Sequence, residues 1–221
     1  KLTAADAAYN DRFGSSVAIN GDTVVVGAYR DDIYGGDGDY DEVSNCAGWS
    51  SCKAGAAYIF STTDGGATYD KVAKLTASDA AYEDNFGGSV AIDGDTIVIG
   101  AYQAGTGGAI YLFLTTDGGA TYDQVAKLTA SDAASGDYFG WQVATDGQKV
   151  VVGARSDDDA GSDSGSAYVF ALPSTDYAQL AKLVAGDAAA GDNFGQSVAI
   201  AGDTIVVGAS GKDDSTGAVY V

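Results

Sequence analysis

The sequence predicts an all-β protein, a β-propeller in which four antiparallel four-stranded blades follow one another along the chain. The main observation is a segment that occurs four times. It begins with Asp-x-Phe-Gly, continues with alternating small and apolar residues and a turn, and ends in a run of β-branched residues followed by Gly-Ala. Its phenylalanines are Phe13, Phe86, Phe139 and Phe194, with spacings of 73, 53 and 55 residues. A period of this size is typical of repeat architectures. In addition, no segment carries the apolar stripe of a long helix.

The second copy shows how one repeat divides into strands. "FGGSVAI" alternates, with Val90 and Ile92 on one face, which indicates a first strand. An Asp-Gly turn leads into "TIVIGAY", whose β-branched residues predict a second strand buried on both faces. "GGAIYLF" predicts a third strand, and "QVAKLTA" predicts a fourth after the turn-rich "TTDGGATYD". A segment such as "SDAASGDYFG" then crosses to the next repeat, and its "SDAA" can form one helical turn.

A propeller follows because one four-stranded blade cannot bury both of its faces, whereas stacked blades can. We expect the glycines to allow close backbone approach between blades and the aromatic residues to fill the space there. Residues 1–221 are predicted to form a single domain. Its blade cores are expected near residues 13–77, 86–130, 139–185 and 194–221, the last completed by residues 2–5.

The two ends of the chain match complementary parts of a repeat. "KLTA" at the start corresponds to a fourth strand, and "GAVYV" at the end corresponds to a third strand. The sequence therefore predicts that the termini share one blade, closing a four-bladed ring. The alternative is that the first strand completes a blade in a neighbouring molecule or in another part of a longer chain.

Composition excludes several classes of function. The chain of 221 residues has 31 acidic and 11 basic residues, a net charge of −20 and no histidine. Without histidine, a Ser-His-Asp triad and a histidine-ligated zinc site are excluded. The negative charge argues against nucleic acid and anionic membranes, and favours divalent cations, a salty medium or a basic partner. No apolar run is long enough to predict a membrane-spanning helix.

Two cysteines, Cys46 and Cys52, lie in an insert at residues 30–54. They could be free thiols or half of a metal site, but no other cysteine or histidine is present to complete a zinc site. A disulfide is the better interpretation, and it predicts an oxidising, extracellular setting. The chain begins without an initiator methionine, so we expect a processed or excised segment of a longer precursor.

The repeated motifs resemble those of a known family. Phe-Gly-x-x-Val-Ala is followed by Val-Val-Gly-Ala and then by Gly-Ala-x-Tyr-x-Phe, with third-strand elements at Gly55, Gly108, Gly165 and Gly217. This pattern resembles the FG-GAP repeat of integrin α-subunit propellers and of related microbial and algal surface proteins. The resemblance implies an extracellular β-propeller with a role in cell adhesion. Integrin-like propellers have seven blades, so four copies depart from that pattern.

The resemblance also implies calcium in a loop between the first and second strands of a repeat. Here those loops are tight turns, and we interpret Asp22, Asp95 and Asp203 as turn residues. Acidic residues lie instead between the second and third strands, where Gly-rich loops could offer the six to eight oxygens that calcium needs. The alternative is a solvated acidic surface. The candidate ligands are Asp31, Asp32, Asp37, Asp39, Asp41, Glu42, Asp157, Asp158, Asp159, Asp163, Asp213 and Asp214.

Two further groups of residues require an interpretation. The aspartate of Asp-x-Phe-Gly, at Asp11 in the first copy, recurs in every copy, and a structural role at the crossover is favoured over metal binding. Tyr34, Tyr40 and Trp49 in the insert are candidates for ligand binding, since exposed aromatic residues can stack on sugars or anchor proteins. The alternative is that they pack the insert onto its own blade.

These observations favour an extracellular structural or adhesion module, such as the repeating unit of a fibre or surface appendage, with self-association or a cell-surface protein or glycan as partner. A calcium-assisted, lectin-like propeller that binds carbohydrate or protein is the alternative. An enzyme is not expected: a pair of carboxylates could support glycoside hydrolysis, but no acid lies in an apolar context that would raise its pKa.

Overall fold

The computed structural model describes residues 1–32, 53–172 and 176–221. Fifteen strands are found in these residues, and they form four antiparallel sheets. The strands are β1 Ser16–Asn20, β2 Thr23–Ala28, β3 Ala56–Ser61, β4 Asp70–Leu75, β5 Phe86–Asp93, β6 Thr96–Ala101, β7 Ala109–Leu114, β8 Asp123–Leu128, β9 Phe139–Thr145, β10 Lys149–Ala154, β11 Ser166–Ala171, β12 Gln179–Leu183, β13 Phe194–Ala201, β14 Thr204–Ala209 and β15 Ala218–Tyr220.

Each sheet is a simple up-and-down meander of strands that are consecutive in sequence. Blade 1 consists of β1–β4, blade 2 of β5–β8, blade 3 of β9–β12 and blade 4 of β13–β15. The first and second strands are joined by tight turns, and the register places the second-strand glycine of each blade opposite a small or polar residue of the first strand. The predicted all-β fold with four antiparallel blades is therefore confirmed.

Blade 4 differs from the prediction, because it contains three strands. Residues 2–5 form no strand in the structure and pair with none of the described strands. Leu2 and Ala4 pack instead against the side of blade 1 that faces away from blade 2. The expectation that the termini share one blade is thus not met by backbone pairing, although Leu2 and Ala4 pack on blade 1 as the equivalent Leu75 and Ala77 pack on blade 2.

Hydrophobic layers between successive blades form the core. Between blades 1 and 2, side chains such as Val25 and Ile59 pack against Phe86 and Ile99, and the equivalent layers follow between blades 2 and 3 and between blades 3 and 4. Within each layer the Phe of Phe-Gly meets the third-strand tyrosine edge to face, with ring centroids 5.3 Å apart for Phe86 and Tyr111. The predicted aromatic filling between blades is confirmed.

Backbone approach between blades depends on pairs of glycines. A Cβ atom on Gly100 in β6 would lie 2.1 Å from the carbonyl oxygen of Gly140 in the next blade. Gly27 and Gly153 stand in the same relation to the blades that follow them. Besides this packing, isolated parallel bridges join Gly108 to Phe139 and Gly165 to Phe194. Blades are therefore joined mainly by side-chain packing, with few backbone hydrogen bonds.

The hairpin between the third and fourth strands of blade 2 is held by Asp117. Its carboxylate accepts hydrogen bonds from the hydroxyl and backbone N–H of Thr121, at 2.7 and 2.9 Å, and from the Thr115 hydroxyl at 2.8 Å. These bonds, led by that of the Thr121 hydroxyl, lower the pKa of Asp117 to about 2. The hairpin of blade 1 repeats the arrangement around Asp64.

We expect Thr121→Val to raise the pKa of Asp117, because the variant loses the hydroxyl that contributes most to the lowering. The folded-state pKa is below the unfolded value, so the associated stability is present above about pH 4 and is lost as the pH falls towards 2. An NMR titration of the carboxyl carbon measures the change, and Asp64, whose own threonines are intact, serves as the internal control. An unchanged Asp117 pKa would contradict the assignment.

The described residues contain one short helical segment, Lys212–Ser215, in the loop before β15. Asp213 and Asp214 within it have positive φ angles of 51° and 57°, so the segment is better described as a left-handed turn. None of the helical structure in the described part of the chain has the length and apolar character required to span a membrane.

Candidate functional site

A cluster of tyrosine, aspartate and lysine recurs at one end of the blades. The hydroxyl of each third-strand tyrosine donates a hydrogen bond to the aspartate of the crossover segment that precedes its own blade. Because these partners are 32 to 52 residues apart, the bond ties the crossover to the blade's third strand. The oxygen–oxygen distances are 3.0 Å for Tyr58–Asp6, 2.9 Å for Tyr111–Asp79, 2.9 Å for Tyr168–Asp132 and 2.7 Å for Tyr220–Asp187.

In blades 1 to 3 the cluster is completed by the fourth-strand lysine. Lys74, Lys127 and Lys182 pair with the crossover aspartate at nitrogen–oxygen distances of 2.7, 2.6 and 2.7 Å. In the middle cluster, desolvation would raise the pKa of Asp79, but the hydrogen bonds from Lys127 and Tyr111 outweigh it, so the pKa is lowered. The carboxylates are thus held in their charged form.

Blade 4 has no described fourth strand, and another lysine takes the same role. Lys212, from the loop between β14 and β15, is buried and lies 3.3 Å from a carboxylate oxygen of Asp187 and 3.1 Å from one of Asp192. Its position in the repeat corresponds to Asp31 in blade 1, Ala104 in blade 2 and Asp157 in blade 3. The last blade therefore neutralises its aspartates with a residue of its own loop.

Two of the predicted calcium ligands belong to these clusters. Asp31 is buried, accepts a 2.5 Å hydrogen bond from Tyr58 and lies 2.7 Å from the ammonium of Lys74. Asp157 is likewise buried and lies 2.8 Å from the Tyr168 hydroxyl and 2.9 Å from the ammonium of Lys182. Both carboxylates have a structural explanation in the ion-paired clusters.

Asp132, Asp157 and Asp159 form the group of acids in the described residues whose carboxylate oxygens all lie within 4.8 Å of one another. The ammonium of Lys182 contacts all three, at 2.7, 2.9 and 2.5 Å. A calcium ion at this point would have to compete with that ammonium. Calcium in the loops between second and third strands stays a prediction.

The other described candidates are dispersed. Asp158 accepts a hydrogen bond from the backbone N–H of Asp163, and both are exposed. Asp213 and Asp214 are exposed in the left-handed turn, and Asp32 is half-buried at the edge of the insert. The remaining candidates lie outside the described residues and stay predictions: Tyr34, Asp37, Asp39, Tyr40, Asp41, Glu42, Cys46, Trp49 and Cys52.

The aspartate of Asp-x-Phe-Gly has the structural role that the sequence indicates. In blade 2, Asp84 is buried and its carboxylate accepts a 2.8 Å hydrogen bond from the backbone N–H of Ala81, three residues earlier. Its backbone oxygen accepts from the N–H of Gln103, just after β6. Desolvation raises the pKa of Asp84 in spite of the hydrogen bond, so the expectation that no acid has its pKa raised by its surroundings is wrong. The residue pins the crossover to the end of the second strand.

The face of blade 1 that points away from blade 2, here called the blade 1 outer face, exposes apolar residues. Val17 is 68% exposed, whereas the equivalent Val90 of blade 2 is 6% exposed beneath blade 1. Ile19 is similarly exposed, whereas Ile92 is buried. Within the described residues, this face is covered in part by Leu2 and Ala4 and by no blade.

The face of blade 4 that points away from blade 3, here called the blade 4 outer face, is exposed in the same way. Val219 is 68% and Val221 92% exposed, whereas the equivalent Ile110 and Leu112 of blade 2 are fully buried against blade 3. The hydrophobic clusters of the described residues include no layer between blades 4 and 1. The four blades therefore present two apolar end faces.

The four sheets with their Phe-Gly and Gly-Ala elements agree with a match to the family model described as "FG-GAP repeat". The matched residues are 1–42, 69–113, 122–170 and 177–221, which together are well over half of the chain. The chain belongs to the FG-GAP repeat family. FG-GAP propellers are generally protein-interaction modules rather than enzymes, and they are typical of extracellular and surface proteins.

Comparisons with curated proteins and solved structures add little information about this FG-GAP protein. A search of curated proteins gave no match. Among solved structures, it is similar to the crystal structure of Saccharomyces cerevisiae Sqt1, with a TM-score of 0.47 and 11% sequence identity. The similarity covers 90% of this chain and 43% of that one, so the FG-GAP chain spans less than half the length of the matched structure.

Of the acids in these clusters of the FG-GAP protein, sequence reasoning identified Asp31, Asp157 and Asp159 but missed the crossover aspartates and the lysines. A signal was available, because a lysine recurs in "AKL" of the fourth strands and an aspartate recurs in every crossover. The structure shows that each lysine pairs with the aspartate of the crossover before its own blade. The two end faces could be recognised only once the neighbours of each blade were known.

Proposed function

We propose that this chain is an extracellular structural or adhesion module that assembles head to tail, with the blade 4 outer face of one molecule on the blade 1 outer face of the next. The observation that carries the proposal is the pair of exposed apolar end faces. Contiguous apolar surface of this kind marks a site of protein interaction more often than a solvated surface. The repeating unit of a fibre or surface appendage is the role that best fits such an assembly.

The contact proposed between two molecules resembles the interfaces between blades within one molecule. Between blades 2 and 3, Val98, Ile110 and Leu112 on one side pack against Phe139 and Val152 on the other. The blade 4 outer face presents the residues that are equivalent to the first three, namely Val206, Val219 and Val221. The blade 1 outer face holds the residues that are equivalent to the second set, Phe13 and Val26, and Val26 is already covered by the cluster that contains Leu2 and Ala4. The two end faces thus have the composition of the two sides of a blade interface.

The glycine pairs indicate that the backbones of the two end faces could also approach as in an internal interface. In each internal interface a second-strand glycine faces the carbonyl of a Phe-Gly glycine in the next blade. Gly208 is the second-strand glycine of blade 4, and a Cβ on it would meet only the side chain and backbone oxygen of Ser197 within 4 Å. We expect the carbonyl of Gly14 from a second molecule to occupy the space beside Gly208.

An interface between two different faces is heterologous, so it generates either an open filament or a closed ring. The net charge of −20 opposes association, because every added molecule brings the same charge. At higher ionic strength the repulsion is screened over distances of about 8 Å or less, whereas apolar burial remains. Assembly is therefore expected to strengthen with salt.

Gly208→Ala is expected to block assembly and leave the single molecule folded. The added methyl would lie where a second molecule's backbone must approach, whereas within one molecule it displaces only the Ser197 hydroxyl. We expect the wild type to form species larger than one chain as concentration and salt rise, and the variant to remain a monomer. Light scattering after size-exclusion chromatography and negative-stain electron microscopy measure this difference.

Gly186→Ala is the matched control, because its Cβ would have no atom within 4 Å and its backbone needs no positive φ. This control should assemble like the wild type. A wild type that stays monomeric at high concentration and salt, or a Gly208→Ala variant that assembles normally, would contradict the proposal.

A further inference from the structure

The three arginines of the chain all lie at one end of the blades, here called the upper face. This is the end at which β1, β5, β9 and β13 begin and at which β2, β6, β10 and β14 finish. Arg12 precedes β1, Arg30 follows β2 and Arg155 follows β10. Hydrogen bonds from residues after the second strands to the Asp-x-Phe-Gly segments join these positions, as from the N–H of Arg30 to the oxygen of Asp11 at 3.2 Å.

Within residues 1–32, 53–172 and 176–221, the arginines form no ion pair with a carboxylate, unlike most of the lysines. Five of the lysines form ion pairs with carboxylates in the described residues, whereas none of the three guanidinium groups does so there. The buried Nε of Arg155 donates no hydrogen bond to any described group. In a chain with 31 acids, cations left without a carboxylate are available for an anion from outside.

Aromatic rings surround Arg155. Its guanidinium lies 3.8 Å from the ring centroid of Trp141 and 5.5 Å from that of Tyr138. The Tyr102 ring lies 4.9 Å from Trp141 and 5.8 Å from Tyr138. All four side chains are partly exposed, and desolvation raises the pKa of Tyr102, so the phenol stays neutral. The group combines a positive charge with flat apolar surfaces.

Two of these rings, Tyr102 and Trp141, line a cleft of about 260 Å³ on the upper face, which spans blades 1 to 3, and Arg155 adjoins the cleft through its contact with Trp141. It is lined by Ser15, Tyr29, Gly88, Tyr102, Trp141 and Gln142. Gly88 helps to form it, because a Cβ there would lie 2.9 Å from the Tyr102 ring. The Arg155 guanidinium, which lies against Trp141 of this lining, therefore brings an unused donor next to the cleft.

We propose that this cleft binds an acidic sugar, a uronic acid residue at the end of or within an oligosaccharide. The apolar face of a pyranose stacks on tyrosine and tryptophan rings, the carboxylate pairs with the guanidinium of Arg155, and hydroxyls bond to glutamine. A sugar suits the site better than an acidic peptide, since flat aromatic rings make up much of the lining. The site lies on the upper face, so it does not depend on the end-to-end assembly proposed above.

The charge of the whole molecule limits the kind of ligand. The net charge of −20 repels a long polyanion, whereas a short oligosaccharide can place one carboxylate at Arg155 with little of its remaining charge near the acidic surface. Binding is thus expected to be selective for short acidic oligosaccharides. Loss of the Arg155 guanidinium should weaken the affinity more than a change in ionic strength does.

Isothermal titration calorimetry with tetragalacturonic acid tests the site on the full chain. We expect measurable binding by the wild type and at least a tenfold loss in affinity in Arg155→Gln. Trp141→Ala should lose a similar amount, and Arg155→Lys should fall between, because it keeps the charge without the planar fork. Lys149→Gln is the control, since Lys149 begins the strand that ends just before Arg155 and so places its charge at the opposite end of blade 3.

Several results would overturn the proposal. One is that tetragalacturonic acid does not bind at millimolar concentration, and another is that wild type and Arg155→Gln bind it with equal affinity. A third is that cellotetraose or a tetra-aspartate peptide binds as tightly as tetragalacturonic acid. Thermal unfolding shows whether Arg155→Gln is folded; if it is not, the Arg155→Lys result decides the same question. The assembly-blocking Gly208→Ala variant should bind the sugar like the wild type, which separates this proposal from the first.

Discussion

Replacing Gly100 with alanine is expected to lower the free energy of unfolding by about 3 kcal/mol or more, since overpacking against rigid backbone lies at the upper end of its usual cost. The new Cβ would lie 2.1 Å from the carbonyl oxygen of Gly140, a distance that Cβ atoms essentially never show. Because the opposing atom belongs to the backbone, no rotamer change relieves the contact, and blades 2 and 3 must separate. For a domain of this size the change corresponds to a fall in Tm of about 6–12 °C.

The same substitution at the equivalent position of blade 4 provides the comparison. A Cβ on Gly208 comes closest, at 2.4 Å, to the Ser197 hydroxyl, which can rotate away. Measured at a concentration where both proteins are monomeric, Gly208→Ala should change the Tm by no more than about 2 °C. Similar Tm values for the two variants in thermal unfolding would show that the blades do not approach as described.

Lys182→Met is expected to lower the free energy of unfolding by about 3 kcal/mol. The variant leaves the Asp157 carboxylate buried without its ammonium partner, and breaking a buried pair in this way costs about 3–5 kcal/mol. The lower value applies because Asp132 and Asp159 are partly exposed and can be hydrated. Methionine keeps much of the volume of the aliphatic chain, so the effect reports the lost charge.

Lys127→Met is the matched control in blade 2. There Ala104 replaces the buried aspartate, and Lys127 pairs with the partly exposed Asp79, so the expected cost is below about 1 kcal/mol. Chemical denaturation of the two variants at neutral pH measures the difference, and equal losses would contradict a special role for the blade 3 cluster.

The pH dependence of Lys182→Met has a defined sign. Desolvation would raise the pKa of Asp132, but the hydrogen bonds from Lys182 and Tyr168 outweigh it and lower the pKa below its ordinary value of 3.8. The stability that this shift contributes is present above that value and is lost as the pH falls. The gap between wild type and Lys182→Met should therefore narrow below about pH 4.

The sequence was sufficient to predict the blades because the same pattern of residues occurs four times in the chain. Alternation in "FGGSVAI" and the β-branched "TIVIGAY" indicate strands in one copy, and the fixed distance between Phe86 and Gly100 is repeated in every other copy. The same regularity identified the glycines and the Phe of Phe-Gly as interface residues. These are local features, and a local pattern is what sequence periodicity reports.

The site could be predicted only in part, because its contacts join distant segments. Asp6 meets Lys74 across 68 residues, and Arg155, in the loop after β10, meets Trp141 in β9. Counting the acids of the loop between β10 and β11 could not show that Lys182 pairs with two of them, Asp157 and Asp159, and with Asp132 of the crossover. The absence of strand pairing by residues 2–5 was also invisible, since the side chains of Leu2 and Ala4 suit either blade.

The sparse backbone bridging between blades has a mechanical consequence. Within a blade every strand is held by an antiparallel ladder, whereas successive blades share only a few backbone hydrogen bonds in the described residues, such as that from the N–H of Phe139 to Gly107. Tension applied along the chain would therefore detach and unravel one blade at a time. A blade of about 53 residues would release about 180 Å of extended chain at each step. A fibre of such units would lengthen in stages under load and would keep its remaining blades folded.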